Sequence, residues 1–158
     1  MLPERCDVVV VGAGNAAMCA AFAAREAGVD VIVLERAPQD EEGGNTRFTA
    51  GAIRFAYDGV DDLRALMPDL TDEEVARTDF GRYTEENFFA DMARVTENRT
   101  DPDLAELLVR RSRATLMWLR DKGVRFVPIY GRQAFKVDGR FKFWGGLNVA
   151  ITAIPGIV

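Results

Sequence analysis

The stretch that most limits the fold is CDVVVVGAGNAAMCAAFAAREAGVDVIVLER, residues 6–36. Residues 7–11 are a β-branched run ending in glycine, the composition of a fully buried parallel strand. Residues 15–27 are rich in alanine, the best helix former, with Met18 and Phe22 placed to pack on one side. Gly28 stands where that helix needs its C-cap, and residues 30–34 read as a second buried strand closed by Glu35. Strand, helix and strand in so short a span predict a βαβ unit with a parallel pair.

The glycines within it are spaced Gly12-x-Gly14-x-x-Ala17. Gly12 permits a tight turn off the strand. Gly14 lets backbone approach a pyrophosphate, and the small Ala17 lets helix and strand pack closely. The helix N-terminus offers unpaired N–H groups and the positive end of a dipole. Glu35 follows roughly 20 residues on, at the tip of the second strand, where a carboxylate accepts from ribose hydroxyls. The unit therefore reads as a dinucleotide site. Its acid disfavours a 2′-phosphate, and Arg36 reads as solvated or at the cofactor's edge. A βαβ unit whose glycines serve only the turn is the plainer alternative.

Composition removes other classes. The chain has 158 residues, 48% of them apolar, enough for one domain with a packed core. A net charge of −5 argues against nucleic acid and anionic membrane surfaces. The first apolar run has no charged leader or cleavage site and is too short to span a bilayer, so membrane insertion is not expected. Cys6 and Cys19 are isolated thiols, consistent with a reducing, cytoplasmic setting. No C-x-x-C pair points to zinc, and the chain contains no histidine, which excludes histidine triads and histidine general acid–base chemistry within it.

Residues 43–55, GGNTRFTAGAIRF, look like neither a helix nor an ordinary strand. The Gly43-Gly44 pair admits close backbone approach. Asn45, Thr46 and Thr49 supply short donors and acceptors. Such a loop, just after the second strand, suits a flavin ring and its diphosphate tail, and so favours FAD over NAD or NADP; a plain surface loop is the alternative.

On these motifs the sequence resembles the FAD-binding domain of the fumarate reductase/succinate dehydrogenase flavoprotein superfamily. Within it, the likeness is greatest to tricarballylate dehydrogenase and its relatives. ENRTDPDLAELLVRRSRATLMWLRDKGVRF and FKFWGG fit the same proteins, so the resemblance extends to about Leu147. It implies that Gly12, Gly14, Asn15, Ala16 and Ala17 hold the pyrophosphate, and that Glu35 and Arg36 sit at the adenosine ribose. Gly44, Asn45, Thr46, Thr49, Ala50 and Gly51 would line the flavin. Members that bind flavin covalently carry a histidine near the position of Asn45, so non-covalent FAD is implied. Ala52 replaces the second glycine of the family's pair at 51–52. Full-length relatives are expected to dehydrogenate a polycarboxylate such as tricarballylate.

Beyond Phe55 the acidic residues 58–79 read as a solvated face. Thr71–Glu74 (TDEE) is a capping box opening a short helix. Residues 84–98 read as a helix with Phe88, Met92 and Val95 on one face. Asp101-Pro102 opens a long helix to about Lys122, ended by Gly123. Its apolar stripe is read as Leu104, Leu107, Leu108, Thr115, Trp118 and Leu119, with the basic residues 110–113 on a solvated face and Trp118 in the core. Residues 124–129 read as a strand, and residues 135–143 as a hairpin turning at Asp138-Gly139. Gly145 and Gly146 read as a turn with possible cofactor contacts. Arg47 and Arg54 are cations able to attract a carboxylate, each read as surface.

The expected organisation is an α/β, Rossmann-like βαβ unit with its flavin loop (1–56), a helical segment (57–123), and a strand and hairpin with a truncated tail (124–158). All three belong to one incomplete doubly wound sheet domain, an N-terminal portion whose catalytic residues lie elsewhere. The alternatives are a nicotinamide-dependent dehydrogenase and a non-catalytic truncated domain.

Overall fold

Residues 5–51 build a parallel βαβ unit. In the computed structural model, which describes residues 5–146 and 148–151 apart from the side chain of Arg132, the chain divides into two units, Met1–Gly51 and Ala52–Val158. The expectations for Leu147 and residues 152–158 lie outside the described residues.

In the first unit β1 (Val8–Val11) and β2 (Val31–Leu34) pair in parallel, with Val8 opposite Val31 and Val11 opposite Leu34. Helix α1 (Asn15–Glu26) crosses between them and ends as its glycine dictates, with Gly28 at φ +81° just past the cap. The strands are not fully buried, contrary to the sequence reading. Val10 is buried, whereas Val9, Val11, Val33 and Leu34 are exposed, as are Met18 and Phe22 of α1. The physical reason is the number of layers: among the described residues β1 and β2 form a two-stranded sheet, and a single helix covers only one face of such a pair. Residues 43–55 hold more regular structure than their composition suggests. Gly44–Phe48 form a 3₁₀ turn, and Ala52–Ile53 begin the second unit as strand β3.

The second unit contains α2 (Val60–Leu66), α3 (Asp72–Arg77), β4 (Thr78–Asp79), α4 (Glu85–Thr96), α5 (Pro102–Asp121), β5 (Phe126–Pro128), α6 (Tyr130–Gln133), β6 (Ala134–Val137), β7 (Arg140–Phe143) and β8 (Val149–Ile151). Two three-stranded sheets result, β3-β8-β5 and β4-β7-β6. The expected strand at 124–129 therefore does not extend the parallel sheet; it pairs antiparallel with β8. The hairpin forms as read, with Asp138 and Gly139 both at positive φ, as a type I′ turn requires.

Caps also form as read. Thr71 and Glu74 exchange bonds at the start of α3, and Asp101 accepts from the Leu104 amide at the start of α5. Helix α4 gains a box of its own from Thr84 and Asn87. The acidic segment is more than a solvated face: it contains α2, whose Leu63 and Leu66 are buried with Met67 and Leu70. Packing of α2 and α4 against α5 accompanies a core that includes Phe55, Tyr57, Leu63, Leu66, Val109 and Val149.

The stripe of α5 differs from its reading. Ala105, Val109, Ser112, Leu116 and Leu119 are buried, while Leu104, Leu107 and Leu108 are exposed, as is Thr115. Trp118 is half-buried beneath the Lys122 ammonium rather than in the core. Val95 of α4 is likewise exposed, although Phe88 is buried. No helix among the described residues is long and apolar enough to cross a membrane.

Candidate functional site

The first unit brings together most of the residues expected to hold a dinucleotide. Gly12 ends β1 at φ +104°, in the left-handed region that glycine enters without a Cβ penalty, and its amide bonds the Leu34 carbonyl. Ala17 lies 4.0 Å from where a Gly12 Cβ would stand, so a larger residue at 17 would press on the turn. Gly14 caps α1 in an ordinary extended conformation, and the first turn of the helix carries no acid.

The loop at 43–49 folds back onto this turn. Thr46 Oγ1 accepts the Asn15 amide at 3.0 Å. A Cβ on Gly14 would meet the Gly43 carbonyl oxygen and Thr46 Oγ1, each at 3.3 Å. Glycine at 14 thus serves the loop as well as any phosphate. The amides of Ala16 and Ala17 have no acceptor among the described residues, so two donors at a positive helix end stay open to an anion.

Glu35 is drawn to the same place. Its two carboxylate oxygens accept the Ala13 and Ala37 amides, each at 2.9 Å. Those two backbone bonds, Ala37 first, hold its carboxyl below the usual carboxylate range. A carboxylate has about four lone-pair sites, so capacity for ribose hydroxyls remains. Arg36 is exposed and makes no ion pair among the described residues. Asn45 and Gly44 are exposed on the 3₁₀ turn. Thr49 bonds the Thr46 carbonyl and accepts the Gly51 amide; Ala50 and Gly51 both stand at positive φ. Thr49, Ala50 and Gly51 continue the loop, with no direct bond to the α1 turn among the described residues.

These features suit FAD: open helix-end amides for phosphate, an ionised acid one strand away, and a small-residue polar loop. Sequence reasoning missed two parts. Gly43 fills the space beside Gly14, and its signal was the glycine pair itself. The Ala13 amide orients Glu35 and, being backbone, leaves no signal.

In the second unit Arg54 is neither a surface residue nor a free carboxylate receptor. Its Nη1 donates to Asp91 Oδ2 at 3.0 Å and to the Tyr83 hydroxyl at 2.9 Å, and Tyr83 donates to the same Asp91 oxygen at 2.9 Å. Arg94 bonds the other Asp91 oxygen, and with Tyr83 it lowers the Asp91 carboxyl. Arg54 is half-buried because its guanidinium also lies over the Tyr83 ring. Arg47 is exposed, over Phe48. Gly145 and Gly146 form the expected turn; a Cβ on Gly146 would stand 2.1 Å from Tyr83 Cγ, so the turn lies flat on that ring. No group of three or more acids and cysteines among the described residues is placed to hold a metal.

The chain is 24% identical over 156 residues to NADH:fumarate oxidoreductase of Klebsiella pneumoniae (strain 342), covering 99% of this chain and 15% of that protein. It is 29% identical over 145 residues to fumarate reductase (cytochrome) of Shewanella frigidimarina, covering 90% of this chain and 22% of the relative. It is 32% identical over 117 residues to digoxin reductase of Eggerthella lenta, covering 74% and 18%. The chain thus spans about a fifth of the length of these curated relatives. Residues 7–150 match the family described as FAD binding domain, and the chain belongs to that family, with FAD as its cofactor.

Proposed function

We propose that this chain is the dinucleotide-gripping portion of an FAD-dependent oxidoreductase. The observation that carries the reading is the joining of three sequence-distant groups in one place: the turn into α1 through the Ala13 and Asn15 amides, the Glu35 carboxylate and Thr46 of the 43–49 loop. Gly12, Gly14, Asn15, Ala16 and Ala17 serve the pyrophosphate. Glu35, with Arg36 beside it, serves the adenosine ribose. Gly44, Asn45, Thr46, Thr49, Ala50 and Gly51 serve the ring. Asn45 offers no imidazole for a covalent link, which supports non-covalent FAD. When bound, FAD accepts or donates the hydride; the residues of this chain bind and orient it and supply no proton donor of histidine type.

The substrate proposed for the whole protein is a polycarboxylate such as tricarballylate. Two relatives are named for fumarate, itself a dicarboxylate. Arg54 is committed to Asp91 and is not assigned to substrate recognition.

Reconstitution tests the cofactor reading. The purified protein, incubated with FAD and desalted, is expected to keep a flavin spectrum and to release all its flavin on acid precipitation. A colourless protein, or displacement of the flavin by NAD, overturns it. Anaerobic bleaching of the loaded whole enzyme by tricarballylate tests the substrate, and a flavin unmoved by any polycarboxylate refutes that part alone.

A further inference from the structure

Helix α5 carries two apolar faces. One is the buried face described above. The other lies in its first three turns, where Leu104, Leu107 and Leu108 are 64%, 57% and 54% exposed. At about 100° per residue, Asp103, Leu104, Leu107, Leu108, Arg110 and Arg111 all fall within about 100° of Leu107 on the outward side. Acid stands at one end of this stripe and base at the other, with Glu106 at its edge held by Arg110. Arg110 bonds Glu106 at 2.8 Å and lies 3.6 Å from Glu85, whereas Asp103 and Arg111 have no ion-pair partner among the described residues. A hollow of about 270 Å³ beside Leu107 is lined by Asp103, Glu106, Leu107, Arg110 and Arg111.

We propose that this face docks a second copy of the chain, α5 against α5 antiparallel, about a two-fold axis at Leu107. The pattern is self-complementary, as an isologous contact requires. Reversing the helix about Leu107 places Leu107 over Leu107 and brings Leu104 of each copy within about 3 Å, along the axis, of Leu108 of the other. It also sets Asp103 of each copy level with Arg110 and Arg111 of its partner, about 12 Å along the axis from its own Arg111. A parallel pairing would set acid against acid and base against base. Three turns of helix bury less than the ~800 Å² per partner of a standard interface, so the association is weak and depends on concentration.

Sedimentation equilibrium of the full 158-residue chain over about 10 μM to about 1 mM reads the outcome. The mean mass is expected to rise towards twice that of the monomer. Leu107→Glu should leave a monomer throughout. Asp103→Arg alone, and Arg110→Asp with Arg111→Asp, should each weaken self-association about tenfold or more, while an equimolar mixture of the two restores a dimer. Circular dichroism confirms that each variant is folded; if Leu107→Glu is not, the mixing experiment still decides. A monomer at every concentration overturns the proposal. So does a dimer insensitive to Leu107→Glu, or a mixture that associates no better than its parts.

Discussion

Replacing Gly14 by alanine isolates the contact on which the site depends. Gly14 sits at φ −74° and ψ 175°, which any residue adopts, so the backbone itself raises no objection. The whole effect comes from one added carbon, 3.3 Å from the Gly43 carbonyl oxygen and 3.3 Å from Thr46 Oγ1. Neither atom ends a long flexible side chain, so the loop must retreat by tenths of an ångström. That strains the Asn15–Thr46 bond at 3.0 Å and the Thr46–Gly43 bond at 3.1 Å. If the loop closes on FAD as proposed, displacing it costs affinity for the cofactor more than it costs stability of the empty protein. Overpacking amounts to about 1–3 kcal/mol and a lost hydrogen bond to about 1 kcal/mol, together about 2–4 kcal/mol. At tenfold per 1.4 kcal/mol, the Kd for FAD should rise roughly 30- to 700-fold in a flavin-fluorescence titration. Gly28→Ala is the control: its φ of +81° brings strain, but nothing lies within 4 Å of the added carbon, so it should cost stability and leave FAD affinity alone. Thr46→Ala removes one of the two obstructing atoms, so the double variant should lose less than the sum of the singles. Wild-type affinity in Gly14→Ala, or equal losses in it and the Gly28 control, would refute the reasoning.

Gly146→Ala should lower the thermal midpoint of unfolding by roughly 5–15 °C, from about 1–2 kcal/mol of left-handed strain plus about 1–3 kcal/mol of overpacking against Tyr83; Gly139→Ala, equally left-handed but open, should lose only the strain. Tyr57 donates its hydroxyl to the Phe80 carbonyl, and burial pushes its phenol up to about 12, against a smaller downward pull from the nearby Asn148 amide. A raised phenol stabilises fully below its unfolded value near 10 and loses that stability as pH climbs towards 12. Chemical denaturation of Tyr57→Phe should therefore show a flatter alkaline limb than wild type, and a parallel limb would count against the assignment. Glu35 has the opposite sign: its lowered carboxyl stabilises above the ordinary range and ceases to as pH falls through the folded value. Glu35→Gln should thus flatten the acid limb and weaken FAD binding, and an unchanged acid limb would show that the Ala13 and Ala37 bonds contribute nothing.

What could be read from sequence was local. The βαβ unit, the caps at Thr71 and Asp101 and the Asp138-Gly139 hairpin each depend on residues within a few positions, so composition and spacing suffice. The turn of the candidate site was legible to the same degree: glycine spacing placed Gly12, Gly14 and Ala17 between β1 and α1, and the strand end placed Glu35 beside that turn. That Thr46 would close on Asn15 was not, since nothing in either residue records a partner 31 positions away. The same holds for Arg54 and Asp91, 37 apart, and for β8, which pairs with β3 and β5 from a stretch that reads as a tail.

Helix α5 fails to match its reading for a different reason. A period of 3.6 announces that an apolar stripe exists, but this helix offers two, and hydropathy favours the wrong one. The leucines at 104, 107 and 108 outrank Ala105 and Ser112, yet the smaller pair is buried. Ser112 explains the choice. Its hydroxyl accepts the Ala56 amide at 3.0 Å and donates to the Val109 carbonyl at 2.8 Å. Ala56 is buried between Phe55 and Tyr57, and an orphaned amide there would cost about 1–3 kcal/mol. A leucine at 112 would strand that amide. The helix is therefore phased by a polar requirement of another segment as well as by its own apolar residues, and Leu104, Leu107 and Leu108 are left outward for the two-fold contact proposed above.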